Sequence, residues 1–490
     1  MKKALIILFL SLIAIKLLIS PLIPVPLGYS DSLAYFEQAK TFFETGSFTQ
    51  LIETTKFMPL YTIMISPAYF FEDMDTVFLC MKIINAFLSS LVIFPAYLLA
   101  KEFLSKKKSL IIASLTACIP TFFVMSFYIF SENLYFPLFL FAIYCIYKTF
   151  SEYKWYLASL AGICIGLSLL TRVSTIVLIS VLFFMTLWKI YKKETKAIFT
   201  TMITSCTIAL VTFPWIYLRG ERFGWTIQGI LQGYNVELST ISNQSYIFVK
   251  LLWTLLYTNY LIIAVGVIVA ILAIVTISEY AKRTKKEQTI IEIVLFLTLT
   301  TIFLAANISG DITPYTSSRV IGRYLASLFP LWLLLSCMTE RVKKSYVGLS
   351  WIFLLSTTPF ILFAVFFPIN NSELIWIEIL KIVLKNNLLV TITVLTIITL
   401  LLVPLLFLKR IKQNAYVSYL AIYFIGMSLI STAAVIYDAQ ERWEPLEEVE
   451  LGHWITENID SEASFFFYPE DLEHFKEDSH IDRTNSKDRP

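Results

Sequence analysis

The chain has 490 residues, 57% of them hydrophobic and only 15% charged, with 40 Phe and 26 Tyr. A soluble chain carries about 25% charged residues, so this composition excludes a water-soluble globular protein and makes lipid the solvent. The formal net charge is +3, and no nucleic-acid partner is implied.

The apolar residues fall in uninterrupted runs of roughly 18–22, the length a helix needs to cross about 30 Å of hydrocarbon. Met1-Lys2-Lys3 opens the first run, which ends near Ile23 with no A-x-A-like cleavage site. It reads as an uncleaved anchor. Further spans are expected near 4–23, 76–99, 110–129, 133–150, 156–171, 174–188, 197–217, 258–277, 289–307, 322–338, 346–367, 388–408 and 415–437. The fold class is therefore an all-α polytopic membrane protein of about thirteen transmembrane helices, occupying residues 1–437. The first outer loop should carry interfacial helices, and a short acidic tail, 438–490, should follow the last span.

The connections form two classes. KEFLSKKK (101–108), KIYKKETK (189–196), AKRTKK (281–286), ERVKK (340–344) and KRIKQ (409–413), with Lys2, Lys3, Lys148 and Lys154, hold 22 of the 39 Lys and Arg. Positive charge near spans marks the cytoplasmic side, so the N-terminus is expected inside and the C-terminus outside, in a plasma membrane. The outward set is then 24–75, 130–133, 172–173, 218–257, 308–321, 369–387 and the tail. Three N-x-S sequons, at Asn243, Asn307 and Asn370, fall in or beside it and support the orientation weakly. The tail holds 16 of the 36 acidic residues against five basic ones. It contains a helix-like EEVELGHWITENI and a strand-like SFFFYP, and its last dozen polar residues are expected to be disordered.

All six cysteines (Cys80, Cys118, Cys145, Cys164, Cys206, Cys337) lie inside apolar runs, with neither a disulfide framework nor a zinc spacing. His453, His474 and His480 follow the last span. Chemistry in the membrane region therefore falls to carboxylates, Lys, Arg and Tyr.

The outer edge collects such groups. Asp31 stands just beyond the first span, opening a helix with Leu33, Phe36, Ala39 and Phe43 on one side. It reads equally as a helix N-cap or as a catalytic carboxylate. Glu132, in SENLYFP, sits in a turn so short that its carboxylate must lie at the membrane edge, where it either caps the next helix or faces a cavity. Arg172, Arg219, Arg222, Arg319 and Arg323 lie at outer helix ends. Each alone could be a snorkelling side chain, but arginines are disfavoured on that side, and together they make an anion site suited to phosphate. Carboxylates beside arginines could serve as general base and leaving-group stabilisers at a lipid phosphate.

At these residues the sequence resembles the polytopic GT-C glycosyltransferases, in the branch of the protein O-mannosyltransferases and the lipid A aminoarabinose transferase. The likeness runs through Asp31, Tyr35 and Ala39, Pro59-Leu60-Tyr61, Ser131-Glu132, Thr171-Arg172, Pro214-Trp215 with Arg219, and Arg323-Tyr324 with Pro330. HWITEN (453–458) is similar to the opening of the outer domain that many members carry. The resemblance implies a polyprenyl- or dolichyl-phosphate sugar donor, a hexose transferred with inversion, and a lipid, glycan or protein acceptor. It implies Asp31 as base, Glu132 as a second acidic residue, and Arg172, Arg219, Arg319, Arg323, Tyr324 and Lys56 around the donor phosphate. Relatives place Lys before Pro-Pro-Leu-Tyr; here Lys56 is displaced by one residue and Met58 replaces the first Pro. A divalent metal between Asp31 and Glu132 stays open. The rival functions are a polymerase or ligase of lipid-linked glycans, or a non-enzymatic lipid or polysaccharide transporter. A transporter should carry its ionisable residues at mid-span, whereas only Lys16, Lys82 and Glu292 lie in spans.

Overall fold

The computed structural model describes residues 2–24, 26–27, 29–54, 57–230, 247–309, 322–339 and 413–441, and among these every regular element is helical. The chain divides into two compact units, Met1–Gln440 and Glu441–Pro490. Of the second only Glu441 is described, so the expected helix, strand and disorder of the tail lie outside the described residues.

α1 (Lys2–Ile19) runs into a 3-10 turn at Ser20–Leu22. The first long connection then folds into α2 (Tyr29–Thr45), α3 (Phe48–Thr54) and α4 (Pro59–Ile65). α2 stops at Gly46, whose φ of +59° places it in the left-handed region while its N–H closes on Phe42 O at 2.8 Å. α4 starts at Pro59, where the missing N–H costs nothing. On α2 the buried residues are Ser32, Tyr35, Phe36, Gln38 and Ala39, while Leu33 and Phe43 are exposed. The expected apolar face is thus rotated: a helix that meets hydrocarbon can leave large apolar side chains on its outer side.

Helices α5 (Met74–Ser90), α6 (Ile93–Lys101), α7 (Lys106–Ala117), α8 (Pro120–Val124), α9 (Glu132–Glu152), α10 (Trp155–Leu169), α11 (Ile176–Tyr191), α12 (Lys196–Phe223) and α13 (Ile227–Ile230) follow. Then come α14 (Ile247–Val265), α15 (Val267–Ser278), α16 (Lys285–Ser309), α17 (Arg323–Ala326), α18 (Phe329–Cys337) and α19 (Gln413–Glu441).

Among the described residues seven helical stretches are long and apolar enough to cross a membrane, or nine when two bent pairs are included. They account for the expected spans at 4–23, 76–99, 133–150, 174–188, 197–217, 289–307 and 415–437. The run at 110–129 is not straight: it bends by 64° between α7 and α8. Pro120 opens α8 and pushes Ile119 into an extended conformation. The run at 258–277 bends by 104° at Gly266, whose φ is +91° and whose missing Cβ would stand 3.2 Å from the Tyr423 ring. The spans expected at 156–171 and 322–338 are shorter apolar helices, Trp155–Leu169 and Arg323–Cys337. Those at 346–367 and 388–408 lie outside the described residues. The sequon Asn307 is buried on α16, donating to Phe303 O at 2.7 Å.

Packing follows side-chain size. α10 lies against α9 and α12. A Cβ on Gly162 would stand 2.6 Å from Thr207 Cβ, and one on Gly166 would stand 2.7 Å from Val211 Cγ1. Small residues four apart let two membrane helices approach closely, and Thr204 Oγ1 uses that closeness to donate to Ala158 O at 3.1 Å. The far side of α12 exposes Phe199, Met202, Leu210 and Phe213, as a lipid-facing surface should.

At the end of α11 remote from Arg172, Glu292 of α16 is buried between two lysines. Lys189 pairs with it at 3.1 Å and Lys192 at 2.7 Å, while Trp188 Nε1 and the Tyr280 hydroxyl donate to it. This buried charge near the start of α16 is a structural joint between α11 and α16.

Candidate active site

The connections that carry Asp31, Glu132, Arg172 and Arg323 converge through a chain of ion pairs. Asp31 sits in the first turn of α2, which begins at Tyr29, so it is inside the helix rather than capping it. Its Oδ2 lies 3.4 Å from Arg323 Nη1, at the start of α17. The same Nη1 lies 3.6 Å from Glu132 Oε1, and Arg172 Nη1 lies 2.6 Å from that oxygen. Among the described residues two carboxylates and two guanidinium groups thus form one cluster of zero formal charge, with Arg323 standing between the acids.

Local structure fixes each member. Tyr128 is extended and opens a short irregular connection, Ser131 is already helical in conformation, and α9 starts with Glu132. Ser131 makes no side-chain cap bond; its Oγ accepts from Arg172 Nη1 at 3.2 Å. Arg172 follows the C-terminus of α10 in extended conformation, just before a 3-10 turn at Val173–Thr175. Leu60 N donates to Leu170 O at 2.9 Å and so docks α4 beside it. The guanidinium groups also lie over aromatic rings, Arg172 over Tyr135 at 5.9 Å and Arg323 over Phe130 at 5.7 Å.

Exposure separates the acids. The Glu132 side chain is 2% exposed and the Asp31 side chain 28%. Glu132 is therefore the buried counter-ion between two arginines, and Asp31 is the more accessible of the two carboxylates. Burial pushes the Arg172 pKa down, but the Glu132 carboxylate beside it prevails and holds it above the ordinary value. Among the described residues no three His, Cys, Asp or Glu converge as metal ligands, and the Arg323 guanidinium occupies the space between Asp31 and Glu132.

Of the other candidates, Tyr324 lines a hollow with Tyr135, Ser174, Thr301 and Ser327, next to this cluster. Arg219 is buried on α12 against Trp215 and Phe223, and Trp215 packs with Leu51, Ile52 and Met58 of the first connection. It does not take part in the four-residue cluster. Arg222 pairs with Glu53 at 2.9 Å on an exposed surface. Lys56 and Arg319 lie outside the described residues.

Residues 57–218 match the family model described as dolichyl-phosphate-mannose-protein mannosyltransferase. The solved structure of ArnT from Cupriavidus metallidurans bound to undecaprenyl phosphate superposes with a TM-score of 0.61 at 12% identity, covering 94% of this chain and 82% of that one. The fold is the GT-C fold. Apo ArnT gives a TM-score of 0.52 at 13% identity, over 94% and 81% of the two chains. The apo oligosaccharyltransferase of Archaeoglobus fulgidus gives 0.50 at 14%, over 94% of this chain and 61% of that one. No curated protein matches at the sequence level. The GT-C resemblance read from Asp31, Ser131-Glu132, Thr171-Arg172 and Arg323-Tyr324 is thereby borne out, and the match at 57–218 contains two of those pairs.

Sequence reasoning missed Asn85. It is fully buried in the apolar run of α5, yet it joins Tyr61 to the backbone ahead of Glu132. A polar amide within IINAFLSS was the available signal.

Proposed function

We propose that the chain is a glycosyltransferase that moves a hexose from a polyprenyl- or dolichyl-phosphate carrier to an acceptor hydroxyl at the outer membrane face, with inversion. The observation that carries this reading is the neutral cluster Asp31–Arg323–Glu132–Arg172. The GT-C fold supports it, as does the likeness to an enzyme whose structure holds undecaprenyl phosphate. The acceptor is a lipid, glycan or protein.

The chemistry follows from charge. A sugar phosphodiester brings one negative charge and competes with Asp31 for the Arg323 guanidinium. Arg323 turning to the phosphate frees the Asp31 carboxylate to accept the acceptor's proton. The acceptor oxygen then bonds to the anomeric carbon from the face opposite the phosphate, and the carbon–oxygen bond to phosphate breaks. The leaving phosphate gains a second negative charge, and Arg172 and Arg323 are already in place to stabilise it. Glu132 keeps both arginines oriented, so little reorganisation is needed as that charge develops. The buried ions Lys16, Lys82 and Glu292 all make helix-to-helix contacts, which argues against a transporter's ion pathway.

The test is turnover of the purified protein with radiolabelled polyprenyl-phosphate hexoses and added acceptors. Asp31→Asn keeps the shape and cannot take a proton, so turnover should fall about 10²–10⁴-fold with an unchanged thermal midpoint. Wild-type protein that releases no sugar from any such donor sinks the proposal. Near wild-type turnover in Asp31→Asn removes Asp31 as base.

A further inference from the structure

Helix α5 gives no residue to the ion-pair cluster, yet one buried face of it touches the segments that do. Lys82, Asn85 and Ser89 fall at i, i+3 and i+7 on that face and are 6%, 0% and 5% exposed. Lys82 Nζ donates to Ser20 O and Ile23 O, both at 3.1 Å, at the end of the first span just ahead of Asp31. Ser89 Oγ accepts from Lys16 Nζ at 2.7 Å.

Asn85 is the junction. Its Nδ2 lies 2.9 Å from Tyr128 O and its Oδ1 lies 2.9 Å from the Tyr61 hydroxyl. A backbone carbonyl can only accept, so the amide faces it with nitrogen, and Tyr61 must donate to the oxygen. Tyr61 meets Tyr35 edge-on, with centroids 4.9 Å apart, and Tyr35 stands one turn beyond Asp31 on α2. Tyr128 opens the short connection that delivers Ser131 and Glu132, and its carbonyl accepts a second amide N–H, from Asn133 at 3.0 Å. Asn85 therefore ties α4 directly to the connection ahead of Glu132, and through the Tyr61–Tyr35 ring contact it reaches the helix of Asp31. In a hydrocarbon surrounding these groups have no water to turn to, which fixes the arrangement.

We propose that Asn85 is a positioning residue that sets the spacing between Asp31 and the Glu132–Arg172 pair, and so the place where acceptor and lipid-phosphate sugar meet. The catalytic part of this role rests on the function proposed above. Transfer is steep in distance, a displacement of about 1 Å costing on the order of 10²-fold.

Asn85→Asp retains size and the acceptor for Tyr61, but turns a second acceptor toward Tyr128 O. In full-length protein in lipid nanodiscs, kcat should fall about 10–100-fold with donor KM held within about twofold. Tyr61→Phe, which removes one arm, should lose about fivefold in kcat. A second readout needs no turnover: Ser131→Cys, buried in the wild-type background, should react with a membrane-impermeant maleimide at least about tenfold faster when Asn85→Asp is added. An equal labelling rate, or a kcat loss matched by lost folded protein, overturns the positioning role. Wild-type protein inert toward every lipid-phosphate sugar overturns the proposed function, and the labelling rate still decides whether Asn85 holds the turn. Where Asn85→Asp does not fold, Tyr61→Phe is put through both readouts, and wild-type values in both overturn the proposal.

Discussion

At the scale of single residues, the cluster assigns different work to groups of the same charge. Arg323 reaches both acids, whereas Arg172 reaches Glu132 and Ser131. Arg323→Ala should weaken binding of a polyprenyl-phosphate sugar by about 1.5–3 kcal/mol, the worth of a charge-assisted contact. Arg323→Lys should recover only part of it, because an ammonium cannot fork onto a phosphate as a guanidinium does. Donor titration of the purified variants measures this, and unchanged affinity in Arg323→Ala would place the phosphate elsewhere. Four of the sequence candidates for this site meet in space, and they are legible because charge at a helix end is conspicuous against apolar spans. Asn85 carries no charge and lies in an apolar run, so hydropathy averaged it away. Arg219 has the same sequence signature as Arg172, but a place on α12 beside Trp215 is set by tertiary packing that no local pattern records.

At the scale of helices, hydropathy located the long spans and missed their shapes. Ile119-Pro120 and Gly266 were both visible in the sequence, yet a window average treats a bent span and a straight one alike. The joint at Glu292 shows what a buried charge within a span does when it is structural. Glu292→Gln leaves Lys189 and Lys192 without their shared carboxylate, and Lys189 is buried. The loss should be about 3 kcal/mol of stability, seen as a lower thermal midpoint in detergent. Turnover per folded molecule should be retained, since α11 separates this joint from Arg172 by about 24 Å at 1.5 Å per residue. A normal melt with lost turnover would instead couple the joint to the site.

For the whole molecule, the unequal distribution of Lys and Arg predicts a cytoplasmic N-terminus, an external C-terminus and an odd number of crossings. Cysteines introduced by Thr240→Cys or His480→Cys should be labelled in intact cells by an impermeant reagent. Labelling only after permeabilisation would reverse the orientation, and the common outer face of Asp31, Glu132, Arg172 and Arg323 would become cytoplasmic.

The two short apolar helices have a consequence for the lipid itself. Trp155–Leu169 and Arg323–Cys337 are the ones that abut Arg172 and Arg323. At 1.5 Å per residue each is about 22 Å long, against a hydrocarbon thickness of about 30 Å. Residues 329–336 are buried in protein, so the mismatch falls on Trp155–Leu169, whose Leu160 and Ile163 are exposed, and thinning of the surrounding bilayer is one way to relieve it. The leaflet should therefore dimple at the cluster, letting a carrier headgroup reach both arginines while its tail stays among its neighbours. Turnover should then fall as the acyl chains of the host vesicle are lengthened from 18 to 22 carbons, in the order of the ~30 Å reference thickness being exceeded. A rate indifferent to chain length would mean that the carrier is lifted to the site instead.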